Sequence, residues 1–219
     1  MKTSSTLLNI VALAAFAVAG SAGATNLVVN GGFEAQQITS AWAPVSAVTG
    51  WTSSASGNSA FEIQRGALQG GQSGFNPVAA DGTQYLELNT DRLTSISQSV
   101  ATTKPGLYSL SFAYSGRPDT ANQASSSMNV YWGGTLLTPS ALSGNTAGSW
   151  QTFTLNNLVA TSASTMLTFA SMGPISSPTY GSYLDKVSVV AAVPEADTYV
   201  MMFLGLGLLG WMVRRKNAA

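Results

Sequence analysis

The sequence predicts an antiparallel β-sandwich, and three observations carry that prediction. Short runs of alternating apolar and polar residues recur along the chain. Turn-forming Gly, Pro and Asn separate them, and no amphipathic pattern of helical period reaches three turns between residues 25 and 192. A period of two buries one face of a strand and leaves the other to solvent, so eight or more such strands close as two sheets packed face to face. Composition agrees: Ser, Thr, Asn and Gly are abundant and charged residues make up only 8% of the chain, a mixture that suits strands and turns better than solvated helices.

In chain order, the first element is an address. Residues 1–24, MKTSSTLLNIVALAAFAVAGSAGA, combine Lys2, an apolar run from Leu7 to Ala19 and a small-residue Ala22-Gly23-Ala24 site, the three parts of a secretory signal peptide. The mature chain is expected to start near Thr25. Strand signals then fall at Phe61 to Gln64 and Tyr85 to Leu88. The run from Ile96 to Val100 is followed by Lys104-Pro105-Gly106 and by Tyr108 to Ser115, the clearest alternation in the chain; the intervening turn signal predicts a hairpin between them. A second hairpin is expected where Met128 to Trp132 meets Gly133-Gly134 and Thr135 to Leu137. Phe153 to Leu155, Leu167 to Phe169 and Val187 to Val190 complete the strands, and the stretches 138–149 and 171–182 read as loops.

What is missing narrows the chemistry. Without cysteine there is no disulfide framework or thiolate nucleophile, and without histidine the usual base of serine hydrolases and the commonest zinc ligand are gone. Residues 25–192 carry five basic and seven acidic side chains with no basic cluster, so nucleic acid is not an expected partner.

The last segment, 193–219, begins Val193-Pro194-Glu195. It continues into sixteen apolar or small residues, 198–213, and ends on Arg214, Arg215 and Lys216. As a helix those sixteen reach about 24 Å against a hydrocarbon core of about 30 Å. A transmembrane helix is expected there, with the basic residues snorkelling and held on the cytoplasmic side. Motif, helix and basic cluster together resemble the PEP-CTERM sorting signal. That resemblance implies export in a Gram-negative bacterium, transient anchoring in the inner membrane, processing by exosortase as a partner, and delivery to the envelope or extracellular matrix. The usual motif continues with a second proline where this chain has Ala196.

The domain between the addresses, residues 25–192, opens NLVVNGGFE and closes GSYLDKVSVV, with a Gly50-Trp51 step, DGTQYLELN, YSLSFAYSGRP and SWQTFTL between. This order resembles the galactose-binding-like jelly roll of carbohydrate-binding modules. The resemblance implies that the opening and closing segments lie side by side and hold a structural calcium ion, with Glu34 and Asp185 in the ligand positions. Extrapolation back from Val187 and Val189 places Asp185 on their inward face, where its charge needs a partner: calcium, backbone donors or an arginine.

Glu62 and Glu87 each oppose their apolar strand neighbours. They are candidates for contact with sugar hydroxyls together with Arg117, which follows the best strand, or for the acid and base of a glycosidase if 5–9.5 Å apart, or for ordinary solvated positions. Trp132, in phase with Met128 and Val130, is expected in the core. Trp42, in a proline-containing segment read as irregular, is the stacking candidate, with core or loop packing as the alternative. Three readings follow: a non-catalytic module binding exopolysaccharide or cell-surface glycan, which is preferred; a structural or adhesive matrix protein without a small ligand; and a glycan-active enzyme using Glu62 and Glu87.

Overall fold

The computed structural model describes residues 24–66, 78–117, 126–138, 140–142, 149–173, 179–192 and 196–216. The signal peptide expected at 1–24 lies outside them save for Ala24, as do Val193, Pro194 and Glu195.

Among the described residues eleven strands form: β1 Trp42–Val45, β2 Thr52–Ser53, β3 Phe61–Arg65, β4 Gln84–Glu87, β5 Ser95–Ala101, β6 Gly106–Ser115, β7 Met128–Trp132, β8 Thr135–Leu136, β9 Gln151–Ala160, β10 Ser164–Ser171 and β11 Tyr183–Ala191. Every pairing is antiparallel. The strands make a six-stranded sheet in the order β1-β3-β4-β11-β6-β9 and a five-stranded sheet in the order β2-β5-β10-β7-β8. The chain crosses between sheets at every connection except β3 to β4 and β7 to β8, as a jelly roll does.

Each alternating run buries its apolar set between the sheets. Ile63, Leu86, Leu184, Leu110 and Phe112 of one sheet meet Ile96, Val100, Val130, Leu167 and Phe169 of the other. Phe112 and Phe169 bridge the layers edge to face, with centroids 5.1 Å apart, a geometry that the ring quadrupoles favour. Trp132 is buried as expected and donates its indole N–H to the Val159 carbonyl at 3.0 Å.

The Gly133-Gly134 hairpin forms, with Tyr131 opposite Leu136 and Trp132 opposite Thr135. Both glycines have positive φ, 56° and 83°, the left-handed pair that a two-residue turn matched to strand twist requires. The other expected hairpin does not form. β5 pairs with β2 and β10, whereas β6 pairs with β9 and β11, so the Lys104-Pro105-Gly106 turn carries the chain from one sheet to the other. Alternation told each strand which face to bury; both buried faces then meet across the core instead of lying side by side.

The opening segment lies along β11. Leu27 N–H donates to the Val189 carbonyl at 2.8 Å, and Val187 N–H to the Gly31 carbonyl at 2.9 Å. A Cβ at Gly31 would come within 2.0 Å of the Val187 carbonyl oxygen, so only glycine admits this approach.

Near the start of β11 the register shifts between Asp185 and Ser188, and Lys186 takes a left-handed φ of 51°. This bulge breaks the period of two. Leu184, Val187 and Val189 all enter the core, while Asp185, opposite Ala113, turns to the outer face. The inward placement expected for Asp185 is therefore corrected: extrapolation from Val187 fails across an inserted residue.

One helix longer than a single turn occurs among the described residues, α1, Ala196–Lys216. No helix there is long and apolar enough to cross a membrane, which corrects the transmembrane helix expected at 198–213. The helix forms and extends past both ends of that run. Its sixteen-residue apolar portion is shorter than a bilayer core, and Gly205, Gly207 and Gly210 dilute its hydropathy. Arg214 is exposed near its end; Arg215 and Lys216 continue the helix.

A buried polar floor beneath an exposed tryptophan

In antiparallel sheets directly opposed residues share a face. On the outer face of the six-stranded sheet, register sets Pro44, Glu62, Glu87, Tyr183 and Ser115 in one row across β1, β3, β4, β11 and β6. A neighbouring row holds Trp42, Gln64 and Tyr85. Such a face would ordinarily be solvated. Here Glu62 is 6% exposed and Glu87 0%, because residues from the segments after β4, after β6 and before β11 close over the sheet.

Burial obliges these polar groups to satisfy one another. The Gln64 Nε2 amide donates to Glu62 Oε1 and to Glu87 Oε2, both at 2.7 Å. Arg117 Nη1 donates to Glu87 Oε1 at 2.6 Å, and the Gly181 N–H reaches the same oxygen at 2.9 Å. The guanidinium lies over the Tyr180 ring, 4.4 Å from its centroid, using one face for a cation–π contact.

Burial, then the neighbouring Glu87 carboxylate, pushes Glu62 up to about 9. Burial raises Glu87 also, against the pull of Arg117 and the Gly181 amide. The two carboxyl groups titrate as a pair that retains one proton at neutral pH. With Arg117, the floor is then electroneutral.

Above the floor opens a cleft of about 400 Å³ lined by Trp42, Pro44, Ser59, Glu62, Gln64, Thr90, Asp91, Arg117, Thr179, Tyr180 and Tyr183. Trp42 stands at its edge, 47% exposed, on a regular strand and not in the irregular segment expected. Three of the four ligand candidates read from sequence, Trp42, Glu62 and Arg117, line this one cleft. The fourth, Glu87, lies beneath and holds Arg117. Since Glu87 is sealed and its oxygens are taken by Arg117, Gly181 and Gln64, it cannot touch a glycosidic bond, and the acid–base pairing with Glu62 lacks its second reachable carboxylate.

Sequence reasoning missed Gln64, Tyr183 and Tyr180. Gln64 was legible, two residues beyond Glu62 on the same strand face. Tyr183 shares its face with Asp185, but the bulge hid the phase. Tyr180 has no local signal; its position follows from Gly181, where a Cβ would lie 2.5 Å from the Asn89 backbone nitrogen, and from Asn89 Nδ2, which donates to the Tyr180 carbonyl at 3.2 Å.

Glu34 and Asp185 do come together, flanking Gly32 with Asp81: a Cβ there would meet Asp81 Oδ2 at 3.7 Å, Asp185 Oδ1 at 3.8 Å and Glu34 Cγ at 3.9 Å. Their oxygens face protein donors. Glu34 Oε1 accepts from the Thr83 and Gln84 amides, each at 2.7 Å, and Oε2 from Thr83 Oγ1 and Gln37 Nε2, which spends its four acceptor sites. Burial alone would raise Glu34, but these bonds outweigh it and hold the carboxyl below its ordinary range.

Asp185 accepts from the Asp81 amide at 2.9 Å and the Lys186 amide at 2.6 Å, and burial still pushes it up to about 7. Among the described residues no group of three or more acidic, His or Cys side chains is placed to hold a metal ion. Calcium would take six to eight oxygens, whereas in this geometry the oxygens of Glu34 and Asp185 accept from protein donors. EDTA is accordingly expected to leave the Tm of the full-length chain unchanged in calorimetry, whereas a fall of several degrees, reversed by calcium, would restore the ion.

An antiparallel jelly-roll sandwich with a polar, aromatic-edged cleft on one outer face thus defines the class. The chain belongs to the family described as Protein of unknown function (DUF642), whose model matches residues 26–190. Residues 192–216 match the PEP-CTERM protein-sorting motif, which implies export and sorting to the cell envelope. No curated protein matches the sequence. Among solved structures, the chain is similar to TmCBM61 in complex with beta-1,4-galactotriose (TM-score 0.49, 15% identity, 77% of this chain and 99% of that one). It is also similar to a family 35 carbohydrate binding module from Clostridium thermocellum (0.40, 18%, 53% and 85%) and to CBM35 from Paenibacillus barcinonensis (0.40, 18%, 66% and 94%). Likeness of this degree carries nothing about a ligand.

Proposed function

We propose that the domain is a non-catalytic module of an exported protein that binds exopolysaccharide or cell-surface glycan, and that exosortase processes the chain at its C-terminal motif in a Gram-negative envelope. The observation that carries the binding reading is Trp42, a large indole left half in solvent at the rim of a cleft whose lining also includes the polar side chains of Glu62, Gln64, Asp91 and Arg117. An apolar ring face beside converging polar atoms matches a pyranose, which presents C–H groups on its faces and hydroxyls around its edge. The sorting motif supports the exported location in which such polymers occur.

Binding of the full-length chain to a glycan array and to the producer's own exopolysaccharide tests the reading. Trp42→Ala is expected to weaken binding tenfold or more, equivalent to about 1.4 kcal/mol. Its Tm should shift by no more than about 2 °C, because an exposed edge residue adds little to stability. A folded chain that binds no glycan would overturn the module and leave a structural matrix role.

A further inference from the structure

We infer that the cleft accepts uncharged sugar units and rejects uronic acids and sulfated sugars, because the charged groups of its floor already neutralise one another. This inference rests on the glycan-binding reading and names the ligand class. Among the described residues lining the cleft, Arg117 is the one cation, and Glu62 and Asp91 are the acidic side chains. The guanidinium is bound by Glu87 at 2.6 Å and covered by the Tyr180 ring, so its charge is matched and one face is occupied. Other cations nearby are committed elsewhere. Arg92 forms a two-point pair with Asp91, at 2.7 and 2.9 Å, and Arg65, in phase with core-facing Ile63, donates to the Ile38 carbonyl at 2.9 Å.

A carboxylate or sulfate entering the cleft would lose water beside Glu62 and Asp91 and gain no unmatched cation in return, a net cost. Neutral hydroxyls face no such cost. They can donate to and accept from Glu62, Gln64, Asp91 and Thr179 without changing the charge of the site.

The test uses matched polymers: galactan against polygalacturonate, and mannan against alginate, each titrated calorimetrically into the full-length chain at pH 7. The neutral member of at least one pair is expected to bind at least tenfold more tightly than its acidic counterpart. The double substitution Glu62→Gln with Glu87→Gln leaves the charge of Arg117 unopposed at the floor and should shift the neutral-to-acidic affinity ratio tenfold or more towards the acidic polymer. The ratio is read, not the level, and the wild-type ratio stands by itself if the double variant does not fold. Equal or tighter binding of the acidic polymers by wild type overturns the inference while leaving the module intact, as does an unchanged ratio in a folded double variant. Failure of every polymer and of the array to bind overturns the module reading, and this inference with it.

Discussion

Arg117→Ala is expected to destabilise the domain by about 3 kcal/mol or more, lowering Tm by roughly 10 °C in a domain of this size. Glu87 is 0% exposed and the Arg117 side chain only 13%, so solvent screens their 2.6 Å contact weakly and water cannot replace the lost guanidinium. Truncation leaves a carboxylate that must either remain charged in a low-dielectric site or take up a second proton into the Glu62–Glu87 pair; both are costly.

Glu87→Gln with Arg117→Met removes both charges at once. It should recover most of the loss, since the cost lies in orphaning one ion and not in lacking the pair. Calorimetry on the two variants checks this. A loss below about 1 kcal/mol for Arg117→Ala would mean that the contact is far more solvated than its geometry implies. The same variant should also loosen the Tyr180 wall of the cleft, so its binding data are interpretable only beside its Tm.

Stability is expected to fall as pH rises from about 5 to 9, and Glu62→Gln should abolish the part of that fall above pH 7. The folded chain holds the Glu62 proton up to about pH 9, against 4.5 for an unperturbed glutamate. Between those values the native state binds more protons than the unfolded one. Raising the pH then favours unfolding by up to about 1.4 kcal/mol per unit for a single site. The contribution is complete below pH 4.5 and lost as pH passes through 9.

Asp185, raised to about 7 by burial, adds a decline of the same sign at lower pH that Glu62→Gln leaves in place. Glu34 acts oppositely: its lowered pKa contributes stability above the ordinary glutamate range that is lost on acidification. Chemical denaturation at pH 5, 7 and 9 separates these contributions. A wild-type profile that is flat from 7 to 9 would mean that Glu62 is ionised throughout and that the carboxyl pair shares no proton.

Much of this was legible residue by residue. The alternation of Tyr108, Leu110, Phe112 and Tyr114 named a core face correctly, Gly133-Gly134 named a hairpin, and the neighbours of Glu62 and Glu87 showed both carboxyl groups on the face away from the core. What could not be read was that this outer face would be roofed over. Solvated strand residues and a sealed hydrogen-bond network have the same local pattern; they differ only in whether residues 89–92, 117 and 179–182 fold across them.

The sequence by itself determined most of the strands, which way most of them face, where the chain turns and which sorting address it carries, because each depends on steric and hydrophobic preferences within a few residues. Only the tertiary structure decided that β5 and β6 belong to different sheets, that a bulge at Lys186 turns Asp185 outward, and that Trp42, Glu62, Arg117 and Tyr180 share one cleft. Those outcomes depend on which distant segments exclude water from one another, a balance of packing and desolvation summed over the whole domain that no local pattern contains.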